Sequence, residues 1–296
     1  MLLVGKVAAA PMVVVSIKPL QHIAAAITEG VSVPVLAVSE NQDPHHLTLK
    51  PSERQSLQNA ALFLWVGPAL ELPLERLVPQ LPGKVLSAQA LSAVSLLDGE
   101  AEHGHGDHGS HGSVDGHLWL DTRNAAAIAS ALAEELAALD PPHAARYAAN
   151  LASFETLLQA TEARLQLLLA PLRTQPWAVE HHAFRYLEAQ FALSPALQLR
   201  GSDNNAAGVR SARRFATAMA AGNLQCIVAE PQVAATQLRS MLGDPELQVA
   251  QADILGRGLP ASADSYAQLM TTLAEAIVAC GDAGHGVDVS QGISHE

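Results

Sequence analysis

Met12-Val13-Val14-Val15-Ser16-Ile17, followed at once by Lys18-Pro19-Leu20, decides how this chain is to be read. The run is β-branched, apolar on every residue but Ser16, and too short for a helix. That pattern predicts a strand buried on both faces, as in a parallel sheet covered by helices. Lys18-Pro19-Leu20 breaks the strand, and residues 21–29 fit a helix. Working outward, 31–38 read as a strand, 41–46 as a loop, and 51–59 as a helix opened by Pro51 and Ser52. Residues 62–66 (LFLWV) read as a strand ended by Gly67-Pro68. A short helix over 71–80 and a short strand over 85–87 follow. This alternation of strand and helix predicts an α/β fold with a parallel sheet.

Residues 96–116 interrupt the pattern. They are rich in Gly, His and Asp and poor in side chains that could enter a core. His117-Leu118-Trp119-Leu120 restores order as an apolar, strand-like run. Asp121 or Thr122 then caps a helix to about residue 139, stopped by Asp140-Pro141-Pro142. The longest helical stretch, 143–169, sets Leu151, Phe154, Leu158, Leu165 and Leu168 on one stripe. Roughly 27 helical residues span about 40 Å at about 1.5 Å per residue. A helix of that length between two α/β patterns reads as a bridge between domains.

After Pro171 the alternation restarts. Strands are expected over 177–180, 196–199, 226–229 and 248–252, with helices over 183–191, 211–221, 233–241 and 262–279. The expected organisation is an N-terminal α/β lobe over 11–142 containing a His-rich loop at 100–116, a linking helix over 143–171, a C-terminal α/β lobe over 172–281, and a flexible tail over 282–296. Residues 1–10 (MLLVGKVAAA) look like the end of a secretory signal. A short apolar stretch is followed by Ala8-Ala9-Ala10, which fits an A-x-A cleavage site, but no basic region precedes it. No apolar run of membrane-spanning length occurs. No cysteine lies near the start, so a lipid anchor is not expected.

The chain has 296 residues, a formal net charge of −12 and 49% hydrophobic residues. Such an acidic surface is unsuited to phosphate backbones, so nucleic acid is not an expected partner. It suits a protein that handles cations. The two cysteines, Cys226 and Cys280, are too far apart for a CxxC motif. They are either two buried thiols or one disulfide.

Five of the thirteen histidines fall between His103 and His117. His103, His105, His108 and His111 lie among Gly, Ser and Asp, whereas His117 opens the ordered run. Two doublets, His45-His46 and His181-His182, sit at strand-to-helix junctions. In open parallel sheets, ligands gather beyond the carboxyl ends of strands. His45, His117 and His181 are therefore candidate metal ligands, and Asp253, which closes a strand, is a candidate fourth. Three imidazoles with one carboxylate or water make a tetrahedral set suited to Zn²⁺. His46 and His182 are the neighbours most easily confused with the ligands.

Four blocks then make the reading specific. They are Pro44-His45-His46-Leu47-Thr48-Leu49-Lys50-Pro51-Ser52, Gly116-His117-Leu118-Trp119-Leu120-Asp121, His181-His182-Ala183-Phe184-Arg185-Tyr186, and Ala229-Glu230-Pro231-Gln232. In order and content they resemble the signature blocks of the solute-binding family of zinc-uptake ABC transporters (ZnuA-like). The resemblance implies two four-stranded parallel α/β lobes joined by one long rigid helix. It implies a periplasmic protein, exported by a signal peptide, that binds Zn²⁺ and passes it to a membrane permease. It places the metal on His45, His117 and His181, with Asp253 or water as the fourth ligand. The family more often has proline after that aspartate, where this chain has Ile254. The resemblance also implies a Cys226–Cys280 disulfide and assigns the His-rich loop, His103, His105, His108 and His111, as an accessory zinc-gathering segment. A monomer is expected.

Three other readings compete with this one. Manganese-binding relatives usually carry Glu at the position of His181, and the nitrogen ligand here favours zinc. A surface adhesin of the same fold would need the missing lipid-anchor cysteine. A zinc hydrolase would need Glu180 or Glu230 as a base beside an open coordination position, and no HExxH cluster is present.

Overall fold

A computed structural model describes residues 10–99, 114–200, 209–221 and 224–282. The loop histidines His103, His105, His108 and His111, the signal-like segment and the tail lie outside the described residues.

The first sheet contains β1 (Val13–Val15), β2 (Val35–Leu36), β3 (Leu62–Trp65) and β4 (Lys84–Ser87), in the order β2-β1-β3-β4 and all parallel. The second contains β5 (Ala178–His181), β6 (Leu197–Arg200), β7 (Cys226–Ala229) and β8 (Gln248–Gln251), in the order β6-β5-β7-β8 and again all parallel. The same order thus occurs twice in one chain. Helices α1 (Lys18–Thr28), α2 (Pro51–Asn59) and α3 (Thr122–Leu139) belong to the first half, and α5 (Arg185–Phe191), α6 (Val209–Ala220) and α7 (Ala235–Leu242) to the second. The contacts divide the chain into two compact units, 1–164 with 255–270 and 165–254 with 271–296. The division falls inside α4 (Ala144–Leu168) and inside α8 (Ser265–Asp282).

The expected α/β class with two parallel sheets is observed, and its cause is visible in burial. Val13, Val14 and Val15 are fully buried, as a central parallel strand requires. The first core gathers Val14, Leu47, Leu57, Phe63, Trp65 and Leu77, and the second Leu199, Phe215, Ile227, Leu238, Leu242 and Leu247. In α4, Phe154, Leu158, Leu165 and Leu169 just beyond its end are buried at helical spacing. At 25 residues, α4 is the longest described helix. Among the described residues no helix is long and apolar enough to cross a membrane.

Three local expectations are corrected. Residues 71–80 form not a helix but two 3-10 turns, Leu72–Leu74 and Val78–Gln80. Pro73 and Pro79 cannot donate within an α-helix and leave only i→i+3 closure. His117-Leu118-Trp119-Leu120 is not strand-like. Leu118–Leu120 is a 3-10 turn, with Leu120 N bonded to His117 O. The strand expected over 31–38 shrinks to Val35–Leu36. The amides of Val31 and Ser32 are used by Thr28 O at the end of α1, and Pro34 has no amide to offer.

Cys226 and Cys280 form a disulfide that joins the start of β7 to the last turns of α8.

Candidate metal centre

In the first unit, His45 lies in a 3-10 turn, Pro44–His46, directly before α2. Asp43 caps the turn by accepting from the His45 amide at 2.9 Å. Buried Pro44 and Leu47 root the turn in the core on either side. Glu53 of α2 ties the surrounding loop at both ends, accepting from the amides of Ser39 at 3.3 Å and Lys50 at 2.7 Å. His45 is half-buried, whereas the His46 side chain is 68% exposed and leans on Asp43. Sequence neighbours in a tight turn point apart, and only His45 faces inward.

His117 belongs to the same unit and is fully buried. Its ring centroid is 5.4 Å from that of His45 and 5.3 Å from that of Trp119. His45 and His117 bring ligand nitrogens within 4.8 Å of each other, close enough to share one ion. Asp115 accepts from His117 twice, at the backbone N (2.9 Å) and at Nδ1 (2.8 Å). A carboxylate on Nδ1 puts the proton there and leaves Nε2 with its lone pair, the arrangement metal-ligating histidines favour. Gly116 is needed at its place, because a Cβ would come within 2.7 Å of the Leu70 side chain and 3.0 Å of its backbone. The Tyr266 hydroxyl of α8 donates to the Trp119 carbonyl at 2.7 Å and steadies the turn from behind.

In the second unit, His181 is the last residue of β5 rather than the first after it. Its Nδ1 lies 2.8 Å from Glu230 Oε1, just beyond β7, and both residues are buried. In the order β6-β5-β7-β8 the chain reverses direction across the sheet between β5 and β7. This pair therefore sits at the topological switch point, where open α/β sheets place ligands. Gln232 donates to the other Glu230 oxygen at 2.8 Å. His182 instead faces Glu188, 3.5 Å away, and Glu180 pairs with Arg200 across to β6. Asp253 follows β8 and is half-buried.

The first sheet's switch point, between β1 and β3, holds a different group. Glu71 is fully buried and accepts from the Val66 amide at 2.8 Å. Burial pushes its carboxyl up to about 7, against the pull of its hydrogen bonds. Sequence reasoning missed Glu71, and it missed Asp115 altogether. It named Glu230 only as a possible base. The available signal was a carboxylate two residues before His117 and another just past a strand end.

The profile of the family described as "Zinc-uptake complex component A periplasmic" (ZnuA) matches residues 13–280. The chain belongs to this family. The High-affinity zinc uptake system protein ZnuA of Yersinia pestis is 30% identical over 292 residues, covering 92% of each chain. Among solved structures, a crystal structure of ZnuA superposes with a TM-score of 0.76 at 22% identity, covering 92% of this chain and 99% of that one. A Mn-bound periplasmic metal-binding protein from Candidatus Liberibacter asiaticus reaches a TM-score of 0.72 at 17% identity, covering 91% and 98%. The fold is thus shared with a protein whose structure is Mn-bound.

Proposed function

We propose that this protein captures Zn²⁺ in the periplasm and delivers it to the permease of an ABC importer. His45, His117 and His181 supply three nitrogen ligands, and Asp253 or a water molecule completes the tetrahedron. The observation that carries the reading is repeated once in each unit: a buried imidazole, His117 or His181, has Nδ1 held at 2.8 Å by a buried carboxylate, Asp115 or Glu230. Each imidazole is thereby set to offer Nε2 to a metal. Three imidazoles suit zinc better than manganese, which favours oxygen donors.

Binding without turnover is the chemistry this set supports. A hydrolase would need a carboxylate acting on metal-bound water. Glu180 is engaged by Arg200, and Glu230 by His181 and Gln232. The Cys226–Cys280 disulfide fits an oxidising compartment. The net charge of −12 suits cation capture and disfavours nucleic acid. The protein acts as a monomer, and His103, His105, His108 and His111 serve as an accessory zinc-gathering segment. Zinc requires unprotonated imidazoles, so affinity falls as pH drops below about 6.5.

The test is calorimetry with a competing chelator, on the full chain and on a chain lacking residues 100–112. One tight site that survives the deletion, with weak sites lost, supports the reading. Loss of all binding with the loop would overturn it.

A further inference from the structure

Lys18 is placed against two local rules at once. It is the first residue of α1, where the positive end of the helix dipole repels a cation. It is also only 9% exposed, and lysine is rarely buried unless paired. A residue that breaks local preference in both ways is held by what it joins.

Its ammonium donates to Leu259 O at 2.8 Å and lies 3.5 Å from Glu40 Oε2. Arg257 closes the same cluster from the other side, donating from Nε to Glu40 O at 2.9 Å. Lys18, Glu40, Pro44 and Leu255 line one small cleft. Two segments are thereby bound to a single ammonium. One is the loop through Glu40 that runs into the His45 turn. The other is the strap from Leu255 to Leu259, which begins just after Asp253. The strap fits closely against α1. Gly256 has φ of +65°, and a Cβ there would come within 3.0 Å of His22 Nε2. His22 is buried, and burial together with the charge of Lys18 keeps its ring neutral, so Lys18 carries the positive charge of this cluster on α1.

We infer that Lys18 is a positioning residue for metal capture, a buried strut that holds the His45 loop and the strap after Asp253 in one register. The inference rests on the zinc reading above. The strut contributes no ligand. It limits the freedom of the His45 loop and of the strap that follows Asp253, and so slows zinc release. Glu40 and Arg257 complete it.

The experiment measures the rate of Zn²⁺ release to excess chelator, together with the melting temperature of the metal-free protein. It compares wild type, Lys18→Met, Lys18→Arg and Arg257→Gln, each with and without Asp253→Ala. Lys18→Met keeps the apolar stem and loses a charge-assisted bond, so release is expected to speed up about tenfold. Lys18→Arg, which keeps charge and donors, restores most of the wild-type rate. In the Asp253→Ala background Lys18→Met adds less than it does alone, because coupled residues are not additive. Unchanged release with a lowered melting temperature would reduce Lys18 to a fold-stabilising residue and overturn the inference. So would full additivity, or wild-type release by Asp253→Ala alone. If Lys18→Met does not fold, Arg257→Gln makes the same comparison from the half-exposed side. A wild-type protein that binds no zinc would instead defeat the functional reading itself, before any variant is compared.

Discussion

One oxygen of Asp115 holds His117 twice, at 2.9 Å from its backbone nitrogen and 2.8 Å from its Nδ1. The two bonds set both where the residue sits and which ring nitrogen is left for a metal. Asp115→Asn keeps the shape but lets the side-chain amide donate to Nδ1 and favour the wrong tautomer. Zinc affinity is expected to fall about 10- to 100-fold. Glu230→Gln should do the same through His181. Competition calorimetry at pH 7.5, a chosen condition of about neutral pH, reads both. Wild-type affinity in both variants would remove the carboxylates from the site.

His117→Ala is expected to weaken zinc binding far more than His108→Ala. The first removes a buried imidazole from the pair with His45, and the second removes one histidine of the Gly-rich loop. Equal losses in a chelator titration would show that the site has been misassigned.

Gly116→Ala tests the backbone rather than the ligand. The added methyl meets Leu70 at its Cα, N and Cβ, so the turn that carries His117 must shift. Weaker zinc binding is expected, with unfolding of the metal-free protein less affected. Emission from Trp119, whose ring is 5.3 Å from that of His117, is a direct monitor. A Gly116→Ala protein with an unaltered zinc-induced emission change would contradict the account.

Two buried groups make metal-free stability depend on pH with opposite signs. Burial and the charge of Lys18 lower His22 from 6.5 to about 4. The unfolded chain therefore takes up this proton first, and stability is lost as pH falls from about 6.5 towards 4. Burial raises Glu71 from 4.5 to about 7. Here the folded chain holds the proton longer, and stability is lost as pH rises from about 4.5 through 7. Urea midpoints from pH 4 to 8 should show a flatter acid limb in His22→Leu and a flatter upper limb in Glu71→Gln. Parallel curves for wild type and both variants would rule out these groups as the source.

Reducing the Cys226–Cys280 bridge frees a loop with a sequence separation of 54. In the chain-entropy view this costs about 4 kcal/mol. A clear drop in melting temperature on adding reductant is expected, and an unchanged one would mean that the bridge adds no stability.

The strands over 13–15, 62–65 and 226–229 were readable because buried β-branched and apolar runs have few alternatives. Residues 71–80 were misread as a helix, whereas Pro73 and Pro79 decide the hydrogen bonding. His117 was expected to open a strand-like run, but Leu118–Leu120 behind it form a turn and not a strand. His45 and His117 were both named as candidate ligands from the sequence, and the fold brings their ring centroids to 5.4 Å. The roles of Asp115 and Glu71 were not visible, since a carboxylate's partner depends on what the fold packs beside it.

Composition and local pattern settled the class of the chain, the parallel strands and the histidines worth watching, because burial period and turn chemistry act over a few residues. Only the folded arrangement decided which carboxylate meets which imidazole. Glu230 reaches His181 across 49 positions, and Lys18 reaches the Leu259 carbonyl across 241. Hydrogen bonds act over about 3 Å, so partners that far apart along the chain are chosen by strand order and helix packing.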